Sequence, residues 1–342
     1  MAAYFSLILP SYNVAPYLGR CIQSILNQDF TDYEVIIVDD GSTDDTPRIS
    51  DEYARKDDRI RVIHKENGGL SSARNAGTQA AQGCYIWWID SDDWIEPGAL
   101  SCLYRAAAQE RPDIVKFNHY RVEQLKRPVR SCAVPGMYAD SQKEKLLDQA
   151  FYAAGRFSLS ACFHIYRRDF LLAHPTPFVS ERIVGSEDYL FTLSIYPHAR
   201  RIQVMADCLY DYELRHGSLS QSYKKDLPQR YRALYQHLLD EYQKNGLLDR
   251  YREHICSFYS WHLVRGTCLS YEYLDTPGHP VREGRKNVRA LLSDQNVQQA
   301  LRGMNPARLS MKDRVLYAAL RLRMEPLLYW LYVVKPGMKK GK

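Results

Sequence analysis

Short apolar runs alternate with amphipathic stretches through the N-terminal part of the chain. Phe5–Leu9 reads as a strand, and after the turn Ser11-Tyr12-Asn13 the residues Leu18, Ile22, Ile25 and Leu26 fall on one helical face. Glu34–Val38 is a second strand, followed by a helix over about Pro47–Lys56. Arg61–His64 leads through Asn67-Gly68-Gly69 to a helix around Ser71–Ala81, and Cys84–Ile89 is the next strand. Strands alternating with short helices predict an α/β fold with a mostly parallel sheet flanked by helices.

The rhythm changes after Pro97. A helix is expected near Leu100–Glu110 and a strand over Asp113–Phe117, and residues 121–135 mix charge with proline as irregular or edge structure. Helical segments near Glu144–Ala154 and Tyr189–Ile195 enclose the polar turn Val184–Asp188. Beyond Gln221 strand signal fades; residues 227–270 and 286–305 read as amphipathic helices, with a break at Thr276–Pro280. The expected organisation is an α/β domain over 1–220, a helical accessory region over 221–310 and a basic amphipathic tail over 311–342.

Charge narrows the choice of partners. The net charge is +6, and residues 311–342 hold eight Lys and Arg against two acids, so the rest sums to zero. A neutral body argues against a nucleic-acid surface there. In the tail, Leu327–Val334 is too short to span a bilayer, but it adjoins Lys335, Lys339, Lys340 and Lys342. That pairing suits an anionic membrane surface, and packing against the catalytic body is the alternative. The chain opens directly on a strand pattern without a basic leader, and its eight cysteines include no CxxC pair. Reduced, buried thiols in a cytoplasmic protein, peripheral at the membrane, are the expectation.

Chemistry concentrates where strands end. Cys84-Tyr-Ile-Trp-Trp-Ile-Asp90-Ser91-Asp92-Asp93 delivers three acids just past a buried strand, the position where α/β sheets bind ligands. Such a cluster calls for a cation, and a hard divalent ion holding substrate phosphates suits it. On an extended backbone Asp90 and Asp92 share a side, while Asp93 is free to cap a turn. A second strand runs into Asp39-Asp40-Gly41-Ser42-Thr43-Asp44-Asp45, where Asp39 and Asp40 are placed for ligand contact. Ser42 or Thr43 can cap the helix that follows, and Asp44 and Asp45 suit its N-terminus. Arg74, one turn into its helix, can face a phosphate or fix the helix by an ion pair. Glu187-Asp188 follows Ser186 at a helix start, and either acid could take a proton from an attacking hydroxyl. The chain lacks a P-loop, a G-x-G-x-x-G turn, a G-x-S-x-G elbow and structural-zinc spacing.

These residues also carry a resemblance. Pro10-Ser11-Tyr12-Asn13, Val38–Asp44, Gly69–Gly77, Asp90-Ser91-Asp92-Asp93, Gly185–Tyr189 and Tyr212–Ser220 stand in the order of family 2 glycosyltransferases of the GT-A fold. The chain resembles that family over about residues 4–220, and bacterial surface-polysaccharide transferases in particular. The resemblance implies an inverting enzyme that moves one sugar from a nucleotide-sugar, most often a UDP-sugar, to a hydroxyl of a glycan or lipid-linked acceptor. Asp39 or Asp40 would contact the uridine base or ribose and Asp90 the nucleoside side, with Pro10, Tyr12, Asn13, Arg74 and Ser91 completing the donor site. Asp92 would bind the Mg²⁺ or Mn²⁺ that bridges the diphosphate. Asp188 would be the base, with Glu187 orienting the acceptor or supporting it. The absence of Gln-x-x-Arg-Trp implies single-sugar transfer rather than processive synthesis. A nucleotidyltransferase making a nucleotide sugar, or a non-catalytic nucleotide-binding assembly protein, are the rival readings.

Overall fold

Seven consecutive apolar or small residues make β1 (Phe5–Ser11), and all seven are buried. Such a run fits a strand covered on both faces, and β1 lies between β2 (Tyr33–Asp39) and β4 (Tyr85–Trp88), parallel to both. β3 (Ile60–His64) adds outside β2, also parallel. The connecting helices are α1 (Ala15–Leu26), α2 (Thr46–Ala54) and α3 (Leu70–Ala80). Trp87 and Trp88 at the end of β4 are both buried and point to opposite faces, as successive strand residues must. Trp87 packs edge-on against Phe117, while Trp88 meets Phe178 and Phe191. α3 sits hard on this sheet, because a Cβ on its Gly77 would lie 2.3 Å from Ile8 Cγ2.

This computed structural model describes residues 3–214, 225–274 and 279–335. They fall in two compact units, residues 1–222 and 223–342. After the two-residue β5 (Trp94–Ile95) and α4 (Ala99–Ala108), the sheet gains β6 (Ile114–Val122), its antiparallel edge partner β7 (Lys126–Val129), and β8 (Gly136–Ala139). Helices α5 (Asp140–Tyr152) and α6 (Ala154–Phe157) lead to β9 (His164–Arg167), then α7 (Arg168–Ala173), α8 (Glu187–Ile195) and β10 (Arg201–Glu213). The order is β3-β2-β1-β4-β9-β6-β10-β5. The expected parallel sheet thus holds for β3, β2, β1 and β4. Beyond them it is mixed, since β9 enters antiparallel between β4 and β6. β10 runs parallel to β6 but shifts register on either side of Cys208.

The second unit is helical: α9 (Leu227–Lys244), α10 (Leu248–Ser257) continuing as a π-helix through Cys268, α11 (Leu269–Glu272), α12 (Val281–Ser293), α13 (Gln295–Gly303), α14 (Met311–Arg321) and α15 (Glu325–Tyr329). The tail is built into this unit. Leu316, Leu320 and Leu328 are buried, and the buried Glu325 carboxylate is gripped by Arg285 and Arg289 of α12. The unit boundary also redraws the charge map. Residues 223–342 carry 22 basic against 11 acidic side chains, and residues 1–222 carry 24 against 29. The basic surplus therefore belongs to the whole helical unit, and the α/β unit is acidic. No helix among the described residues is long and apolar enough to cross a membrane. All eight cysteines are free; Cys21, Cys162, Cys256 and Cys268 are buried, Cys102, Cys132 and Cys208 are half-buried, and Cys84, just before β4, is exposed, so the expected burial holds for only part of the set. Arg215–Ser220, Thr276 and the lysines after Lys335 lie outside the described residues.

Candidate active site

The acidic segment after β4 is a turn, not an extension of the strand. The Asp93 amide donates to the Asp90 carbonyl at 2.9 Å, so Asp90 and Asp92 are presented by a bend rather than by strand alternation. Several elements fix this bend. The Ser91 hydroxyl donates to the Pro10 carbonyl at 2.8 Å and lies 2.7 Å from the Ser11 hydroxyl, tying it to the end of β1. Arg20 of α1 donates to the Asp92 carbonyl at 2.8 Å while paired with Glu213 and stacked over Trp94. From β10, the Tyr210 hydroxyl accepts from the Asp90 amide and donates to Asp93. Asp93 is buried inside this scaffold and also accepts from the Glu213 amide, so it holds the turn together from within instead of capping it. Burial, then the charges of Asp92 and Asp90, push its carboxyl well above the ordinary range.

The second acidic turn divides its labour in a way the sequence did not show. Asp39 is buried beneath the surface, accepting from the Ser42 amide and paired with His64. That contact raises the His64 imidazole. Asp40 is just as buried but lines the cleft, and its carboxylate collects the amides of Gly68 and Gly69 and the Lys65 ammonium. Asn13, at φ 51°, accepts from the Thr43 amide at its side-chain Oδ1 and donates its backbone amide to the Ser42 hydroxyl. It joins two loops and does not line the cleft. Ser42 and Thr43 are thus engaged by Asn13, not by the helix. Asp44 accepts from the Thr46 and Ala15 amides, while Asp45 pairs outward with Arg48.

α3 presents Arg74 toward the acids. The guanidinium is essentially inaccessible (1% exposed) and pairs with Asp90, Glu187 and Asp188 together, over the face of Phe178. Burial opposes its charge, but the three carboxylates hold it protonated. Asp188 is clamped at both oxygens, one by Arg74 and the other by the Ser160 hydroxyl at 2.9 Å. Burial raises both Glu187 and Asp188; Asp188 raises Glu187 further, and Arg74 works the other way on each. A raised carboxyl pair beside a fixed cation is suited to accept a proton near neutrality. Ser186 occupies the start of α8, yet its hydroxyl makes no capping bond.

A cleft of about 470 Å³ opens over these elements. Among the expected residues, Pro10, Tyr12, Asp40, Asp90, Ser91 and Asp92 line it; Asp39, Asn13, Arg74, Glu187 and Asp188 stand behind or beside it. Glu181, Arg182 and Asn67 line it as well. Glu181 reaches the Leu70 and Ser71 amides at the N-terminus of α3, and Gly69, at φ 92°, has no room for a Cβ against it. No local spacing reveals a cap supplied from more than a hundred residues downstream. Among the described residues no three His, Cys, Asp or Glu side chains converge as a metal cage. One or two carboxylates on a substrate cleft are nevertheless the protein ligand set expected where substrate phosphates complete the shell of Mg²⁺ or Mn²⁺. Asp92 on the cleft fits that requirement, while Asp90 is paired with Arg74.

This arrangement has relatives. Residues 6–172 match the glycosyl transferase family 2 model. EpsH of Bacillus subtilis, provisionally a glycosyltransferase, is 32% identical over 94% of this chain and 92% of its own length. EpsJ of the same organism, an uncharacterized glycosyltransferase, is 34% identical over 88% and 87%. Among solved structures, S. aureus TarS residues 1–349 in complex with UDP-GlcNAc superposes with a TM-score of 0.69 at 24% identity, covering 100% of this chain and 93% of that one, a likeness of fold. With the acidic turns on β2 and β4 in place and near full-length relatives on either side of one-third identity, the chain belongs to glycosyl transferase family 2 and has the GT-A fold.

Proposed function

We propose that this protein transfers a single sugar, with inversion, from a UDP-sugar to a hydroxyl of a glycan or lipid-linked saccharide during bacterial surface-polysaccharide assembly. The observation that carries the reading is Arg74, whose one guanidinium joins Asp90 on the donor cleft to the Glu187–Asp188 pair. Donor side and proton-accepting side are thereby held within one side chain's reach. Tyr12, half exposed on the cleft, and Asp40 would meet the nucleoside. Asp92 would hold Mg²⁺ or Mn²⁺, which would supply charge neutralisation for the departing diphosphate, and Asp90 would serve the nucleoside side. Asp188 takes the proton of the attacking hydroxyl, and Glu187 shares Arg74 with it. No enzyme nucleophile is needed for inversion by direct attack.

The reading is tested by incubating the protein with labelled UDP-sugars and a lipid-linked or lipopolysaccharide acceptor. An acceptor–sugar product with release of UDP is the expected result. Pyrophosphate released from a nucleoside triphosphate and a sugar phosphate would assign the protein to nucleotide-sugar synthesis instead, and nucleotide binding without turnover to an assembly role.

The helical unit is proposed to rest on an anionic membrane surface from the cytoplasmic side. Val315, Leu322, Met324, Trp330 and Val334 are exposed along the tail, interleaved with Lys312, Arg314, Arg323 and Lys335. Apolar side chains among cations suit shallow insertion between anionic headgroups.

A further inference from the structure

The segment leading into β9 is held in an unusual way. Four successive carbonyls, those of Phe157, Ser158, Leu159 and Ser160, each accept a hydrogen bond from a side chain. Ser131 Oγ meets the first at 3.0 Å, and Lys116 Nζ, Thr192 Oγ1 and His164 Nδ1 meet the others at 2.8 Å. Three of those donors, Lys116, Thr192 and His164, are fully buried. His164 must carry its proton on Nδ1 to serve a carbonyl, which leaves Nε2 to accept from the Tyr196 hydroxyl at 2.8 Å. Burial keeps that imidazole neutral, well below its usual pKa. Ser158 is held at φ 62°, a left-handed conformation disfavoured for a residue with a Cβ. Buried polar side chains on three different elements are thus spent on a strap with no strand pairing of its own. What the strap presents is one hydroxyl, Ser160 Oγ, on the free oxygen of Asp188.

We infer that Ser160 is a positioning residue for the proton acceptor: it fixes the Asp188 carboxylate opposite Arg74 and, by donating to the ionised form, keeps it deprotonated against burial. This rests on Asp188 being the base proposed above. Glu187 is instead met by Arg74 at 3.2 Å and by its own backbone amide, so the strap's hydroxyl serves one of the two adjacent acids. The step balances: the acceptor hydroxyl loses its proton to Asp188 as its oxygen bonds the anomeric carbon, the bond from that carbon to the diphosphate breaks and UDP leaves with its electron pair, and Ser160 retains its own proton throughout.

The test compares Ser160→Ala, Ser160→Thr, Thr192→Val and Asp188→Asn in the full chain, reading transfer across pH with UDP-sugar donor and a hydroxyl acceptor. Loss of a hydrogen bond to an ionised carboxylate raises its pKa, so the acidic limb of the rate profile for Ser160→Ala should move up by about one pH unit. The donor KM should stay unchanged, and Ser160→Thr should restore the wild-type limb. Thr192→Val removes one of the strap's four ties but leaves the Ser160 hydroxyl, and should move the limb less than Ser160→Ala does. An unmoved limb in Ser160→Ala, or an equal shift in Thr192→Val, overturns the role. If Ser160→Ala does not fold, Ser160→Cys, a weaker donor at the same place, must show the shift in reduced form. Full transfer by Asp188→Asn would remove the base assignment itself, whereas its inactivity beside an unmoved Ser160→Ala limb rejects Ser160 alone.

Discussion

The Tyr210 hydroxyl donates to the buried Asp93 carboxylate at 2.7 Å and accepts from the Asp90 amide at 3.1 Å. One phenol therefore sets the backbone of the acidic turn and satisfies its interior acid. Tyr210→Phe removes both bonds without changing the ring. It should lower unfolding free energy by about 1–3 kcal/mol, the usual penalty for a buried polar group left short of a partner. It should also raise the donor KM more than it lowers kcat. Unchanged urea denaturation and donor KM would show that the turn holds without it.

Asp92→Asn should abolish metal-stimulated transfer while leaving the circular dichroism spectrum intact. Asp92 lines the cleft and is less buried than Asp93. Turnover equal to wild type at saturating Mg²⁺ or Mn²⁺ would remove the assignment.

Arg74→Lys keeps one positive charge but cannot reproduce a planar fork that reaches three carboxylates. Breaking a buried ion cluster in this way costs about 3–5 kcal/mol when carboxylates are left unpaired. A fall in melting temperature together with a large loss of kcat is expected. A stable, active variant would mean that the acids are neutralised by another route.

Lys116 couples stability to pH. Burial pushes its amine down from 10.5 to about 7. Below pH 7 both folded and unfolded chains carry the proton, and the burial penalty is felt in full. Between about 7 and 10.5 only the unfolded chain remains protonated, so this residue makes stability rise with pH, by at most about 1.4 kcal/mol per unit. Lys116→Met should lack that rise. Parallel denaturation curves for wild type and variant from pH 6 to 9 would contradict it.

Replacing Leu322, Met324 and Trp330 together by serine should reduce flotation with anionic liposomes and leave transfer to a soluble acceptor unchanged. Truncation before Lys312 is a poorer test, because it would strip Arg285 and Arg289 of Glu325. Equal flotation of variant and wild type, or no preference for anionic over neutral vesicles, would rule out the membrane role.

The first four strands, their helices and both acidic turns were legible because buried parallel strands write themselves as apolar runs and the turns follow them directly. β9 and β10 were not. His164–Arg167 is short and half polar, and β10 breaks its alternation where the register shifts around Cys208. The acidic residues themselves were visible, but their division of tasks was not. Whether Asp39 or Asp40 faces the cleft depends on His64 and the Gly68–Gly69 amides, which only the folded sheet brings near. Glu181, Ser160 and Tyr210 escaped for the same reason: each acts on residues roughly 30 to 120 positions away.

Gly77 lies one helical turn beyond Arg74, and the missing side chain lets α3 rest directly on Ile8 and Val38. The distance from helix axis to sheet consequently determines how deep the guanidinium reaches. A methyl group there would act as a shim. It would lift the helix at the point nearest Arg74, and three carboxylates contributed by other segments cannot follow a cation that moves outward with its own helix. The smallest side chain in the element thus sets the working position of the largest one it carries.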